Sequence, residues 1–403
     1  MITLSNNNRE FLTGLIHSTI PITLPIAMVS GLFMAPWIAV IMLMVFFVSN
    51  INIATARSYL VPIEHIIACF GLLSCFWSID PADSIIIFSQ LLFVIVMKQV
   101  ISNKAYLVIM QKQHLISKLT LAITGSAVIF VVDSYTHGMI YSAVRSVVQP
   151  GSDNHFELSW LDRGCAVLAL TSWVLIYLFV RSSQILKAAI LYIAVFILLY
   201  LSDSTSSFIA FILGGIAYIV LYFSPRIMSF LLALAIIAYM VAMPIFAIKQ
   251  DPNKITENYS AIPISYAHRL FIWKFTSEKA LENVVLGKGI GSSRAIPVLE
   301  SDMVDYDNHS LSPLPRHPHN NILQIWLEMG SVGLVLAIIY VWNILVQFRN
   351  ITAVDKNFGL AIHAVFINYF FIGMVSFNMW QSWWLMVLLY IILLMNIAWK
   401  SDE

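Results

Sequence analysis

The densest group of chemically capable side chains is Pro315-Arg316-His317-Pro318-His319-Asn320-Asn321, which runs directly into Ile322-Leu323-Gln324-Ile325-Trp326-Leu327-Glu328-Met329-Gly330. Two imidazoles and a guanidinium thus stand at the mouth of an expected membrane helix. Pro318 suits a first helical turn, where its missing N–H removes nothing, so His319 is expected among unsatisfied backbone donors at the positive end. Such an end attracts phosphate oxygens and disfavours imidazolium. A neutral His319 can accept a hydrogen bond from a hydroxyl or take its proton as general base. Capping by one histidine and simple solvation of the other is the plainer alternative. Asn320, Gln324 and Glu328 follow at i, i+4 and i+8, a polar stripe descending about 12 Å at 1.5 Å per residue. Burying Glu328 requires a partner or a water-filled cavity, so the stripe either walls a pocket or packs against polar groups of another helix.

Arginine is the second ingredient. Arg269 lies in Tyr266-Ala267-His268-Arg269-Leu270-Phe271-Ile272-Trp273-Lys274, an aromatic-rich amphipathic stretch suited to a membrane surface. Arg163 lies in Trp160-Leu161-Asp162-Arg163-Gly164, at the start of another apolar run. A guanidinium fork donates two parallel hydrogen bonds and keeps its charge, so either residue can hold phosphate. Snorkelling of Arg269 and a salt bridge from Arg163 to Asp162 are the alternatives. The run Gly287-Lys288-Gly289-Ile290-Gly291-Ser292-Ser293 is not a nucleotide loop, because no strand precedes it and its Gly-Lys pair lacks the following Ser/Thr. It reads instead as a tight glycine turn in an outer lobe. His317 and His319 at i, i+2 lack a carboxylate pair nearby, and the three cysteines form no CxxC or Cys/His cluster. Neither a metal nor a disulfide is expected.

These side chains require a membrane scaffold. Of 403 residues, 60% are apolar and 11% charged, which excludes a soluble chain. A bilayer-crossing helix takes roughly 20 residues, so the apolar fraction fills about a dozen spans. Apolar runs at 11–30, 32–50, 60–77, 84–101, 115–133, 163–181, 185–201, 206–223, 227–247, 319–347, 358–377 and 380–399 predict an all-α polytopic membrane protein. That is about 12 transmembrane helices in a single membrane domain over 1–403, with the first span retained. An even number of spans puts both termini on one side. With both inside, twelve of the 22 basic residues, among them Arg57, Lys98, Lys104 and Arg181, fall on the inner face, and short outer loops hold none. The other ten, including Arg163, Arg269, Arg294 and Arg316, collect at two outer segments. These are 134–162, with Arg163 at its edge, and 248–318, a large lobe inserted between the ninth and tenth helices. Cations on the side topology disfavours suggest an anionic ligand there, although long outer loops translocate regardless of charge. A net charge of +1 gives no global field to draw nucleic acid.

Four features in order resemble the O-antigen ligase and polymerase superfamily. They are Asp162-Arg163-Gly164 opening a middle helix; His268-Arg269 followed by Trp273; Leu286-Gly287-Lys288-Gly289-Ile290-Gly291; and His317-Pro318-His319-Asn320 with Gln324, Glu328, Gly330 and Gly333. The last is the most specific, and the likeness covers mainly residues 160–335. The chain differs at Ser202-Asp203-Ser204-Thr205-Ser206-Ser207, where family members often carry a Ser-Arg pair. The resemblance implies a metal-independent, cofactor-free GT-C-type glycosyltransferase of the bacterial inner membrane, with cytoplasmic termini and its site at the periplasmic face. Such an enzyme would move a glycan from undecaprenyl diphosphate to a sugar hydroxyl of lipid A-core by inverting displacement. His319 would act on the hydroxyl, and Arg163 and Arg269 would clamp the diphosphate. His317, Arg316, Asn320, Gln324 and Glu328 would support them, with membrane lipids around the whole. The same constellation would serve an O-antigen polymerase extending lipid-linked glycan. A secondary transporter of an anionic substrate also fits the helix number, but should place ionisable groups mid-membrane at broken helices. Here such groups are few: Glu64, His65 and Glu328.

Overall fold

The computed structural model describes residues 5–31, 33–49, 62–104, 108, 110–148, 156–258 and 262–401. Arg57, the Lys104 side chain and residues 149–155 of the first outer segment lie outside the described residues. The helices are α1 (Asn6–Val29), α2 (Met34–Val48), α3 (Pro62–Ser74), α4 (Pro81–Lys104), α5 (Lys112–Tyr135), α6 (Met139–Val148), α7 (Asp162–Arg181) and α8 (Ile185–Tyr200). They continue with α9 (Thr205–Phe223), α10 (Pro225–Lys249), α11 (Pro252–Asn258), α12 (Ile264–Leu281), α13 (Asn321–Val354), α14 (Lys356–Val375) and α15 (Ser382–Lys400).

The protein is an all-α polytopic membrane protein. Each predicted apolar run contains a helix, and among the described residues nine helices are long and apolar enough to cross a membrane: α1, α4, α5, α7, α9, α10, α13, α14 and α15. The other three runs form α2, α3 and α8, of 15, 13 and 16 residues. The shortest rises only about 20 Å, against a hydrocarbon core of roughly 30 Å. By length and composition, nine of the twelve expected spans qualify as crossings among the described residues.

α7 is the central helix. It is apolar on all sides and buried without interruption from Gly164 to Phe179, as a helix surrounded by others must be. α1, α5, α8, α14 and α15 pack around it. Trp173 meets Tyr192 of α8 and Phe211 and Tyr218 of α9. A second apolar cluster joins α10, α12 and α13 through residues such as Ala247, Ile272 and Leu327. Deep charge is paired: Lys98 of α4 donates to Glu64 of α3 and to the Tyr340 hydroxyl of α13 at 3.3 Å, while Gln99 donates to Glu64 at 2.6 Å. With its carboxylate engaged from two sides, Glu64 holds these helices together.

Between α10 and α13 the chain forms α11, α12, two 3₁₀ turns and a hairpin of β1 (Val304–Tyr306) and β2 (His309–Leu311). The hairpin turns at Asp307 and Asn308, both left-handed at φ 48° and 61°, the conformation a two-residue turn of this hand demands. His268 donates to the Ser312 carbonyl at 2.6 Å, and the Tyr306 hydroxyl to that of Ile262 at 3.0 Å, fastening the hairpin to α12.

Candidate active site

The first turn of α13 is arranged differently from the sequence expectation. Pro318 lies before the helix, and Asn320, in extended conformation, is the N-cap. Its Oδ1 accepts from Ile322 N–H at 3.0 Å and Leu323 N–H at 3.1 Å, so two of the helix's free donors are engaged by its own cap. His319 is therefore not inside the positive end of the helix. It sits one residue before the cap, with a left-handed φ of 51°. For a residue with a Cβ this conformation costs about 1–2 kcal/mol and must be held by its surroundings.

What holds it is the end of α14. A helix's last carbonyls lack internal partners, and three site residues take three successive ones. Asn320 Nδ2 donates to Met374 at 3.2 Å, Arg269 Nε to Val375 at 3.0 Å, and His319 Nδ1 to Ser376 at 2.8 Å. Because a carbonyl can only accept, His319 carries its proton on Nδ1 and presents a bare Nε2. Its backbone N–H donates to Nδ1 of His317 at 3.2 Å, and the two rings lie 4.0 Å apart. Burial, the neighbouring imidazole and the charges of Arg294 and Arg269 depress His317 to about 3. Burial first, offset in part by the Ser376 bond, and then Arg269 and His268 depress His319 to about 4. Both rings are neutral at neutral pH.

Arg269 thus joins the histidines at the end of α14; its Nη1 also donates to Ser265 at 2.8 Å. Arg316 is exposed on the lobe and does not join them.

The polar stripe is sealed inside. Glu328 is fully buried and accepts from Gly291 N–H at 2.8 Å, Ser293 N–H at 3.4 Å, Ser293 Oγ at 2.5 Å, Gln324 Nε2 at 3.0 Å and Trp380 Nε1 at 2.5 Å. Gln324 also donates to Asn378 Oδ1 at 3.1 Å and accepts from Met379 N–H at 3.1 Å. The stripe binds other polar groups of the protein, the second of its two sequence readings.

α13 breaks at Gly330, whose φ of 64° and ψ of −165° are not helical. The glycine run fills the break. Lys288 N–H donates to Leu327 O at 3.0 Å and Gly289 N–H to Glu328 O at 2.8 Å, while Ser331 and Val332 donate to Val284 and Val285 at 2.7 and 3.2 Å. A Cβ on Gly287 would fall 2.5 Å from backbone atoms of Glu328 and Gly330. The run is a tight turn as expected, but it is spliced into the helix rather than confined to the lobe.

Beside it lies a cleft of about 340 Å³ between the end of α1, the start of α4, the glycine run and the start of α15. Arg163 and Arg294 both line it, with Asp83, Asn378, Trp380 and Trp383. Gly164, against the Met28 backbone, lets α1 pass close beside Arg163, and the Arg163 guanidinium stands 5.4 Å from the Trp383 ring. Arg294, on a 3₁₀ turn three residues beyond Gly291, connects the cleft to the imidazoles through its charge on His317. Sequence reasoning grouped Arg294 only with the outer cations; its place after the glycine run was the available signal. No pattern in the sequence pointed to Asp83, Asn378 or Trp383.

A multi-pass helical membrane protein with a basic, tryptophan-walled cleft and a neutral histidine pair has the parts of a membrane-embedded glycan-transferring enzyme. The profile of the family described as O-antigen ligase matches residues 188–338, from α8 to the middle of α13. Over 337 residues, 83% of this chain and 79% of the relative, the sequence is 37% identical to a protein of Rickettsia typhi named "Putative polysaccharide ligase". Proteins of the same designation from Rickettsia prowazekii and Rickettsia bellii are each 36% identical, over 83% and 84% of this chain and 79% and 80% of theirs. The chain belongs to the O-antigen ligase family.

Proposed function

We propose that the protein transfers a glycan from undecaprenyl diphosphate to a sugar hydroxyl of lipid A-core, at the periplasmic face of a bacterial inner membrane. The observation that carries this reading is the convergence of Arg163 and Arg294, from segments 131 residues apart in the chain, on one cleft, with the charge of Arg294 also acting on His317. Two guanidinium groups suit a diphosphate, whose oxygens accept parallel hydrogen bonds and whose charge grows as it leaves. Here Arg294 takes the part that sequence reasoning gave to Arg269, and Arg269 serves the histidines.

The acceptor hydroxyl would lie against Nε2 of His319. Its oxygen attacks the anomeric carbon, the bond from that carbon to the diphosphate oxygen breaks, and the configuration inverts. The hydroxyl proton passes to Nε2 and the electron pair leaves on the polyprenyl diphosphate. An imidazole near 4 is a weak base, but a bound diphosphate adds negative charge and strengthens it, so His319 is activated when the donor is loaded. Tryptophan faces such as Trp383 suit the apolar faces of sugars. The architecture would be of GT-C type.

The test is lipopolysaccharide profiling of a deletion strain complemented with wild type or His319→Ala, with membrane insertion verified. Loss of the long-glycan ladder, with lipid-linked chains of normal length accumulating, is expected. Core bearing a single repeat would identify a polymerase instead, and an unaltered profile would remove His319 from the reaction.

A further inference from the structure

The glycine run does more than fill a gap in α13: it carries Arg294. In an unbroken helix Ser331 and Val332 would bond to Leu327 and Glu328. Here all four of those groups bond to residues 284–289 instead, so the segment is built into the helix. Three glycines at φ 68°, 95° and 80° turn the chain so that Gly291 and Ser293 aim at one carboxylate. The same carboxylate takes the indole of Trp380, which with Asn378 lines the cleft. All five partners of Glu328 can donate to its carboxyl oxygens.

We infer that Glu328 is a positioning residue for diphosphate binding: it fixes the Gly291–Ser293 segment against the Asn378–Trp380 wall and thereby sets Arg294 opposite Arg163. The inference rests on the diphosphate reading of the cleft. Glu328 itself reaches no substrate, being closed in by its own donors. Its amide analogue cannot replace it, since one end of the side chain would then present N–H groups to donors.

The experiment uses the full chain in nanodiscs, with undecaprenyl diphosphate as the probe. Arg294→Ala is expected to weaken binding about 10–100-fold, the range for one charged hydrogen-bonding contact. Glu328→Gln is expected to weaken it comparably and to raise the KM for donor while leaving that for acceptor unchanged. In an Arg294→Ala background Glu328→Gln should lose most of its effect, as coupled residues do. Should Glu328→Gln fail to fold, Ser293→Ala removes one donor and keeps the carboxylate, with a smaller loss and the same dependence on Arg294. If Arg294→Ala impairs binding while Glu328→Gln and Ser293→Ala bind as wild type, the positioning role is overturned. Full additivity with Arg294→Ala, or equal changes in both KM values, overturns it too. Wild-type binding by Arg294→Ala overturns the diphosphate reading itself, and this inference with it.

Discussion

The titration of His319 offers the most discriminating test of the site. Its depression from 6.5 to about 4 corresponds to about 3 kcal/mol favouring the neutral ring. The acid limb of kcat/KM, which reports the free enzyme, should therefore fall near pH 4 rather than near the ordinary imidazole value. Arg269 contributes to that depression, so Arg269→Gln should move the limb upward, toward 6.5. Arg269 also anchors the Val375 carbonyl, and Arg269→Lys separates the two effects by keeping the charge and losing the fork. Stability should follow the same groups. Between about pH 6.5 and 4 the unfolded chain binds protons that both folded histidines refuse, so stability is full above this window and falls as the pH drops through it. The assay is transfer by purified enzyme from lipid-linked glycan to core, measured across this range with folding checked at each pH. A wild-type limb near 6.5, or one that Arg269→Gln leaves in place, would refute the placement of His319 among these charges.

Other substitutions test the rest of the scaffold. Arg163→Ala and Arg294→Ala should each lower kcat/KM for donor by about 10–100-fold, while Arg316→Ala, on the exposed lobe, should leave it near wild type in the same assay. Gly330→Ala places a Cβ 2.2 Å from the Val285 carbonyl at positive φ, and should destabilise the splice by about 2–5 kcal/mol, read as accelerated amide exchange at 284–289. Lys98→Met leaves Glu64 buried without its cation and should lower stability by about 3–5 kcal/mol. Lys98→Met with Glu64→Leu should recover much of that in thermal unfolding.

What the sequence showed and what it hid divide along a physical line. Apolar runs locate helices because bilayer insertion is dominated by composition, and all twelve runs contain one. Their lengths depend on where the chain turns, and α3, closed by the Trp77 region before Pro81, stops far short of a span. Asn320 as cap was readable from residue preference; Pro318 drew attention to the wrong position because it fits a first turn equally well on local grounds. The break at Gly330 was hidden because an isolated glycine is tolerated within a helix, and its partner, Gly287, lies 43 residues earlier. Glu328 signalled a need for donors, but which segment supplies them is a tertiary fact. Arg269 and Arg294 are equivalent as outer cations, and only the packing of α12 against the end of α14 turns one toward the histidines.

A broken membrane helix beside a buried glutamate is also what a transporter would show, so the details at Gly330 must separate the two readings. In a transporter the break exposes backbone groups to a cavity and lets one part of the bundle rock against another. Here the freed carbonyls and N–H groups are taken up by residues 284–289, and Glu328 faces five donors rather than a water path. Rocking α13 at Gly330 would break four backbone bonds and strip a buried carboxyl group of its partners, each such hydrogen bond contributing about 0.5–1.5 kcal/mol. The break therefore acts as a joint fixed in one position. It makes the lobe continuous with the membrane helices and holds Arg294 at a set place relative to Arg163 and the histidines. A transferase benefits from that rigidity, because displacement at an anomeric carbon depends on the nucleophile and the leaving group being held in line through that carbon, with the base within reach of the nucleophile's proton.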